Sequence, residues 1–300
     1  MKYDVLIIGA GPAGLSAAIY LRRAMLSVAV IEKQYFSGGQ LLLTKDIENY
    51  PGFENITGDE LSEKFRKHAE NLGAEFLKGE VVSVKQGSVA LKDSTVIDAK
   101  AIIIAVGTAH KRLGVKGETE FSGRGVSYCA VCDGAFFADK EAAVIGGGDT
   151  ALEDALYLSK ICKRVTLIHR RKELRASKIL QNQFVSLDNT EFLPCEEVQE
   201  FKGDRLLSEI LLKSGKSISV SGAFVAIGQA PQADFVTDIV ETDQQGFIKT
   251  DELCRTSAKG IFAIGDVIVK PCRQVVTAAA DGAIVSRAVT EYIAQINSAN

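Results

Sequence analysis

Two stretches of this chain repeat one order of apolar and polar positions. In the first, Tyr3-Asp4-Val5-Leu6-Ile7-Ile8 is a mostly apolar run of strand length, and Gly9-Ala10-Gly11-Pro12-Ala13-Gly14 turns it. Apolar positions then take up helical spacing to about Arg23, and Val28 to Ile31 form a second strand-like run ending at Glu32. In the second, Ala142 to Ile145 predict a strand, Gly146 to Ala151 a turn, Leu152 to Lys160 a helix and Val165 to Ile168 another strand. Each stretch has a late echo, Ala101 to Gly107 for the first and Phe224 to Gly228 for the second, where an apolar run closes on glycine. One strand–turn–helix–strand unit is therefore used twice.

The segments around the repeats set the domain plan. Gly38, Gly39, Pro51 and Gly52 mark a long loop, and Thr57-Gly58-Asp59-Glu60 is a capping-box start for a helix to about Leu72, stopped by Gly73. Gly260 to Asp266 and a C-terminal helix from about Val275 belong to neither repeat. If they pack back on the first unit, the second is an insertion, with hinges near 112–117 and 242–248. The expected architecture is α/β: two Rossmann-like domains of three-layer ββα form, residues 1–114 with 245–300 making the first and 115–244 the second, inserted one.

Composition narrows the partners. A formal net charge of −3 speaks against nucleic acid or an anionic membrane as the main partner. The chain reads straight from Met1-Lys2-Tyr3-Asp4 into a strand, without a basic-then-apolar leader, and no apolar stretch has membrane-spanning length. The expected location is the cytoplasm. Of the six cysteines, Cys162, Cys195, Cys254 and Cys272 stand alone and read as small hydrophobes in or near the core, whereas Cys129 and Cys132 form a C-x-x-C pair.

The two glycine turns differ in the residues that come after them. Gly9, Gly11 and Gly14 fit G-x-G-x-x-G, which permits a tight turn, close backbone approach to a pyrophosphate and close helix–strand packing. Glu32 stands eighteen residues beyond Gly14, where an acid hydrogen-bonds an unphosphorylated ribose. The second turn uses Gly146, Gly148 and Ala151, and eighteen residues beyond Ala151 stands His169, with Arg170, Arg171 and Arg175 after it. Guanidinium groups there suit a ribose 2′-phosphate, which a carboxylate would repel. The sites read as different nucleotides, FAD first and NADPH second; the plain alternative for the arginines is a solvated basic face.

The cysteine pair lies between these two turns, in Cys129-Ala130-Val131-Cys132-Asp133-Gly134. A zinc site would need two further ligands, and His68, His110 and His169 are not suitably spaced to supply them. Two closely spaced thiols exchange readily, so a redox disulfide is the favoured reading over a chance pair. Asp133 is either a proton carrier with a raised pKa or the residue that starts the turn at Gly134. Phe136 and Phe137 are either core or an exposed docking patch.

Together these residues resemble the low-molecular-weight, bacterial-type thioredoxin reductases, NADPH-dependent FAD/disulfide oxidoreductases. The match is end to end, through Gly9 to Gly14, Ser37-Gly38-Gly39-Gln40, Glu48-Asn49-Tyr50-Pro51-Gly52, Cys129 to Gly134, Gly146 to Asp149, His169 to Arg175, Gly265-Asp266 and Arg273-Gln274. The resemblance implies a homodimer whose FAD domain is residues 1–114 and 245–300 and whose NADPH domain, 115–244, carries the disulfide. It implies FAD contacts from Gly9, Gly11, Pro12, Ala13 and Gly14, from Glu32 and Lys33, and from Gly39, Gln40 and Leu41. Asn49, Val82 and Gly107 join them, as do Gly265, Asp266 on the ribityl chain, Arg273, Gln274 near the isoalloxazine, and Val275. For NADPH it implies Gly146, Gly148, Asp149, Thr150 and Ala151, then His169, Arg170, Arg171 and Arg175, with Ile227 and Gly228.

By the same resemblance Cys132 faces the flavin, Cys129 attacks thioredoxin, Asp133 handles protons, and Arg124 and Phe136 touch thioredoxin. The NADPH domain of the family rotates between two orientations. Departures are mild: Val131 and Thr150 occupy variable positions, and Ala135 is small where an aromatic is common. Rival readings are a same-fold reductase serving another small disulfide protein or a one-electron carrier, and an alkyl hydroperoxide reductase flavoprotein. The cysteine pair counts against the one-electron carrier. The second rival carries an extra N-terminal thioredoxin-like region, whereas here the FAD fingerprint begins at residue 9. A nucleotide-binding redox sensor is the non-enzymatic alternative.

Overall fold

A computed structural model describes residues 2–43 and 47–299, so Met1, Thr44, Lys45, Asp46 and Asn300 of the expected domain ranges lie outside the described residues. The chain divides into two compact units, Met1–Ala109 with Ala230–Asn300, and His110–Gln229.

The first unit is built on alternation. Strands Glu75–Lys78, Val28–Glu32, Tyr3–Ile8 and Val96–Ile104 lie side by side in that order, and Ile261–Ala263 pairs parallel with the last. Val5, Ile7, Val30 and Ile103 point to one face, into a core completed by helix Pro12–Arg23 and the long helix Val275–Ala299. Leu6, Ile8, Ile31 and Ile104 point to the other, against the antiparallel strands Val81–Lys85 and Ser88–Leu91. Successive strand residues face opposite ways, so one continuous apolar run can supply both cores. The expected helix after Thr57 runs Gly58–Asn71, and Thr57 Oγ1 accepts from Glu60 N–H at 3.2 Å, half of the capping box.

The second unit repeats the plan. Strands Thr190–Pro194, Arg164–His169, Glu141–Gly146, Gly222–Ala226 and Val126–Ser127 form a parallel sheet. Ala142, Val144 and Leu167 face helices Asp149–Ser159 and Lys178–Val185, while Ala143, Ile145 and Val225 face the antiparallel strands Val198–Gly203 and Leu207–Leu212. Both units thus have helices, parallel sheet and antiparallel strands in three layers.

The chain divides between its two compact units at 109/110 and 229/230, before the expected hinges near 112–117 and 242–248. Residues 230–244 carry Ala233, Val236 and Val240, all buried in the first unit's core, and Asp243 caps the turn at 245–247 through Gln245 and Phe247 N–H. At the other end Leu113 and Val115 pack on the second core, and the buried Glu118 carboxylate accepts from Leu113 and Gly114 N–H at 3.0 and 2.7 Å. Leu113 and Val115 in the first expected hinge segment, and Ile248 in the second, hold them to a core, a signal that turn residues alone do not carry. The second helix also starts earlier than expected, at Asp149, because extended Gly148 is already its N-cap.

Candidate functional site: two glycine turns and a disulfide

In the first unit the glycine turn joins strand Tyr3–Ile8 to helix Pro12–Arg23, with Pro12 at the first helical position, where its missing N–H costs nothing. Gly9 has φ +106°, and a Cβ there would sit 2.5 Å from the Ala105 carbonyl oxygen; a Cβ on Gly14 would strike the Gly9 carbonyl. A Cβ on Gly11 would meet nothing within 4 Å, so this backbone faces open space at the helix N-terminus. Glu32 braces the turn, accepting from Ala10 N–H and Gln34 N–H at 2.9 Å each. That uses one lone pair on each oxygen and leaves acceptor capacity for ribose hydroxyls.

Other expected residues gather at this turn. Gly38 N–H donates to Ala10 O at 2.8 Å, and a Cβ on Gly39 would lie 3.7 Å from Gly11. Gln40 Nε2 donates to Thr108 O and Oγ1, which places it beside Gly107, and Asn49 Nδ2 reaches Gln274 Oε1 at 3.4 Å. A Cβ on Gly265 would press Ala13 at 2.8 Å, and Leu41 and Val275 share a small cluster with Tyr50 and Phe53. Lys33 and Val82 are exposed, and no hydrogen bond joins either to the turn among the described residues. Arg273 serves the loop itself, donating to Asp266 O and Ile268 O at 3.3 Å and lying 4.2 Å over the Phe247 ring.

Asp266 makes the clearest demand for a ligand. Its Oδ1 is buried with no hydrogen-bond partner among the described residues. Burial pushes its carboxyl pKa up, against the pull of Lys270 and Arg273. A buried acceptor of this kind needs a donor, and hydroxyls of a ribityl chain would supply one. Together with the glycine cradle, these features fit FAD.

The second turn has the same backbone logic and different chemistry. A Cβ on Gly146 would meet Ala151 Cβ at 2.7 Å, and one on Gly148 would meet nothing within 4 Å. The His169 ring lies against Gly147, where a Cβ would be 2.6 Å from Nε2, and that Nε2 is itself buried and without a hydrogen-bond partner among the described residues. Burial lowers the His169 pKa, and the charges of Arg175, Arg170 and Arg171 lower it further, which favours the neutral imidazole. Their side chains are exposed and hold no ion pair among the described residues. Uncommitted guanidinium groups beside an unsatisfied imidazole fit a dinucleotide bearing a 2′-phosphate. Thr150, Ile227 and Gly228 lie at accessible positions in the same unit, while Asp149 Oδ1 already accepts from Ser177 N–H at 2.7 Å.

The disulfide Cys129–Cys132 spans a Cα–Cα distance of 5.3 Å at the short helix Ala130–Asp133. Cys129 Sγ accepts from Cys132 N–H at 3.2 Å, a bond that would favour a thiolate on Cys129 after reduction. Asp133 is joined to the pair by a residue that sequence reasoning missed. Ser127 Oγ donates to Asp133 Oδ2 at 2.5 Å and accepts from Cys129 N–H at 3.1 Å. Its only signal in the sequence is its place two residues before the motif. The two phenylalanines divide: Phe137 packs edge-on against Phe224 at 5.4 Å, and Phe136 is exposed with Val131 and Ala135. Arg124 is exposed too, its guanidinium donating to Glu120 O.

The lone cysteines correct an expectation. Cys162 and Cys254 are buried, but Cys195 and Cys272 are exposed. Cys195 occupies a left-handed turn with φ +59°, and Cys272 lies in the loop before Arg273, so neither reaches a core.

A family model described as pyridine nucleotide-disulphide oxidoreductase matches residues 3–282. The thioredoxin reductase of Bacillus subtilis is 43% identical over 98% of this chain and 96% of its own length; that of Streptomyces coelicolor is 42% identical over 93% and 90%. The crystal structure of thioredoxin reductase from Streptococcus pyogenes aligns with a TM-score of 0.92 at 44% identity, covering 98% of both chains. The chain belongs to the pyridine nucleotide-disulphide oxidoreductase family. It is an oxidoreductase, and among its described residues no helix is long and apolar enough to cross a membrane.

Proposed function

We propose that this protein is an NADPH-dependent thioredoxin reductase whose electrons leave through Cys129 and Cys132. The observation that carries the reading is the disulfide within the unit whose glycine turn ends in His169 and three arginines. The residues around Gly9 to Gly14, Glu32 and Asp266 would hold FAD, and those around Gly146 to Ala151, His169, Arg170, Arg171 and Arg175 would hold NADPH. When bound, FAD supplies the two-electron relay between a nicotinamide and a disulfide.

The chain's own residues complete the transfer. Once the pair is reduced, the Cys129 thiolate attacks a sulfur of the thioredoxin disulfide, and the S–S bond breaks toward the other thioredoxin sulfur. Cys132 then attacks the mixed disulfide, which re-forms Cys129–Cys132 and releases the thioredoxin dithiol. Asp133, tied to the pair through Ser127, delivers the proton that the departing thiolate needs. Val131, Ala135, Phe136 and Arg124 form the exposed surface for the partner. The reading includes a homodimer in the cytoplasm, where four free cysteines suit a reducing compartment.

Anaerobic titration tests it. NADPH should bleach the flavin at far lower concentration than NADH, and oxidised thioredoxin should restore the colour. Bleaching without recovery on thioredoxin would hand the function to another disulfide protein or a one-electron carrier.

A further inference from the structure

The arginine segment owes its place to contacts outside itself. Arg170, Arg171 and Arg175 lie on irregular chain between strand Arg164–His169 and helix Lys178–Val185. The end of that segment is fastened to the second glycine turn at three points. Arg175 and Ala176 N–H both donate to the Gly147 carbonyl, at 2.7 and 3.2 Å, and Ser177 N–H donates to Asp149 Oδ1 at 2.7 Å. Gln181 Nε2 holds the far side through the Ala176 carbonyl at 2.6 Å. Two of the three fastenings to the turn are backbone to backbone. The third depends on one side chain.

A carboxylate at Asp149 is costly for the ligand. It stands exposed in the first turn of helix Asp149–Ser159, where the N-terminus would receive a pyrophosphate. Its charge opposes that pyrophosphate whether or not the ribose carries a 2′-phosphate. What it gives in return is specific, because the segment it fastens carries the groups that would meet the 2′-phosphate.

We infer that Asp149 is a positioning residue for cofactor selectivity, holding the arginine segment against the glycine turn through Ser177 N–H. The inference rests on the proposed NADPH reading and deepens it. Charge and geometry make opposite demands here, so they can be separated. If Asp149 acted through its charge, neutralising it would tighten every phosphate-bearing ligand. If it acts through its acceptor oxygen, Asp149→Asn keeps the function and Asp149→Ala loses it.

The test is calorimetry on the full-length, FAD-loaded protein with two probes, adenosine 2′,5′-bisphosphate and adenosine 5′-monophosphate. For Asp149→Ala, affinity for the bisphosphate should fall roughly 10- to 100-fold, the scale of one charge-assisted hydrogen bond. Affinity for the monophosphate should hold or rise. Asp149→Asn should keep the wild-type ratio of the two. An unchanged ratio in Asp149→Ala, or an Asp149→Asn variant no better than Asp149→Ala, overturns the positioning role while leaving the arginines' assignment standing. A wild-type protein that does not prefer the bisphosphate overturns both.

Discussion

The two glycine turns share a backbone plan and end in opposite charge. In each, a buried strand enters a glycine whose Cβ would strike a carbonyl, and the middle glycine of the motif faces open space at a helix N-terminus. In the first, the carboxylate of Glu32 reaches back to Ala10 N–H and becomes part of the turn it serves. In the second, His169 lies against Gly147 with an unsatisfied nitrogen, and the arginines beyond it are uncommitted. In the proposed function the phosphate cradle is thus a property of the shared fold, and the choice of nucleotide belongs to the end of the next strand. Only the second unit carries the disulfide, so in the proposed function the first unit holds the flavin and the second both receives the nicotinamide and passes the electrons on.

The most severe break of this asymmetry is Cys132→Ser. Thioredoxin reduction should fall by at least about 10³-fold, the scale on which an essential nucleophile is lost, while NADPH still bleaches the flavin in stopped flow; retained turnover would remove the disulfide from the route. Asp133→Asn comes next, with turnover expected to fall about 10²-fold or more and calorimetric affinity for NADP⁺ unchanged. Full turnover would leave Asp133 as the residue that starts the turn. Removing the charge that distinguishes the turns is milder. Arg170→Ala or Arg175→Ala should each raise KM for NADPH roughly 10- to 100-fold with KM for NADH within about 2-fold, and a parallel rise for both cofactors would make the cluster a solvated face.

Much of this contrast is legible in the residues themselves, because a buried strand, a glycine turn and the residue closing the next strand are local features. Gly9 to Gly14 with Glu32, and Gly146 to Ala151 with His169, need only the chain's order to be seen. What escapes is non-local or carried by a side chain with several possible roles. Ser127 bridges Asp133 and Cys129 only because strand Val126–Ser127 pairs with Gly222–Ala226 and brings its hydroxyl under the motif. Lys270 and Asp281 form an ion pair at 2.6 Å with side chains only 9% and 13% exposed, and Asp281 also accepts from Gly265 N–H beside Asp266. In sequence Asp281 is merely one charge in a helix of alanines and valines. The division between the units escapes for the same reason: turn residues mark where a chain can bend, while Ala233, Val236 and Val240 decide which core the segment after 229 joins.

The smallest expected effect lies one turn along the paired helices. Ala17 and Asp154 each stand three residues beyond the last residue of their fingerprint. Ala17 is fully buried, and a Cβ on Gly282 would lie 2.6 Å from its nitrogen, so the first helix packs tightly on the C-terminal helix. Asp154 puts a carboxyl at the matching place in the second helix, and burial pushes its pKa from 3.8 up to about 7. A folded-state pKa above the unfolded value means that the folded chain binds the extra proton between the two. Stability from this site is then complete below pH 3.8, declines as pH rises toward about 7, and stays low above that. Asp154→Asn removes the ionisation while keeping the size, so its melting temperature should match wild type near pH 4 and exceed it by about 2–4 °C at pH 8. Scanning calorimetry at both pH values decides the matter. A variant less stable than wild type at pH 8 would show that the ionised carboxylate is held by a favourable contact, and that the second helix departs from the first for a purpose beyond packing.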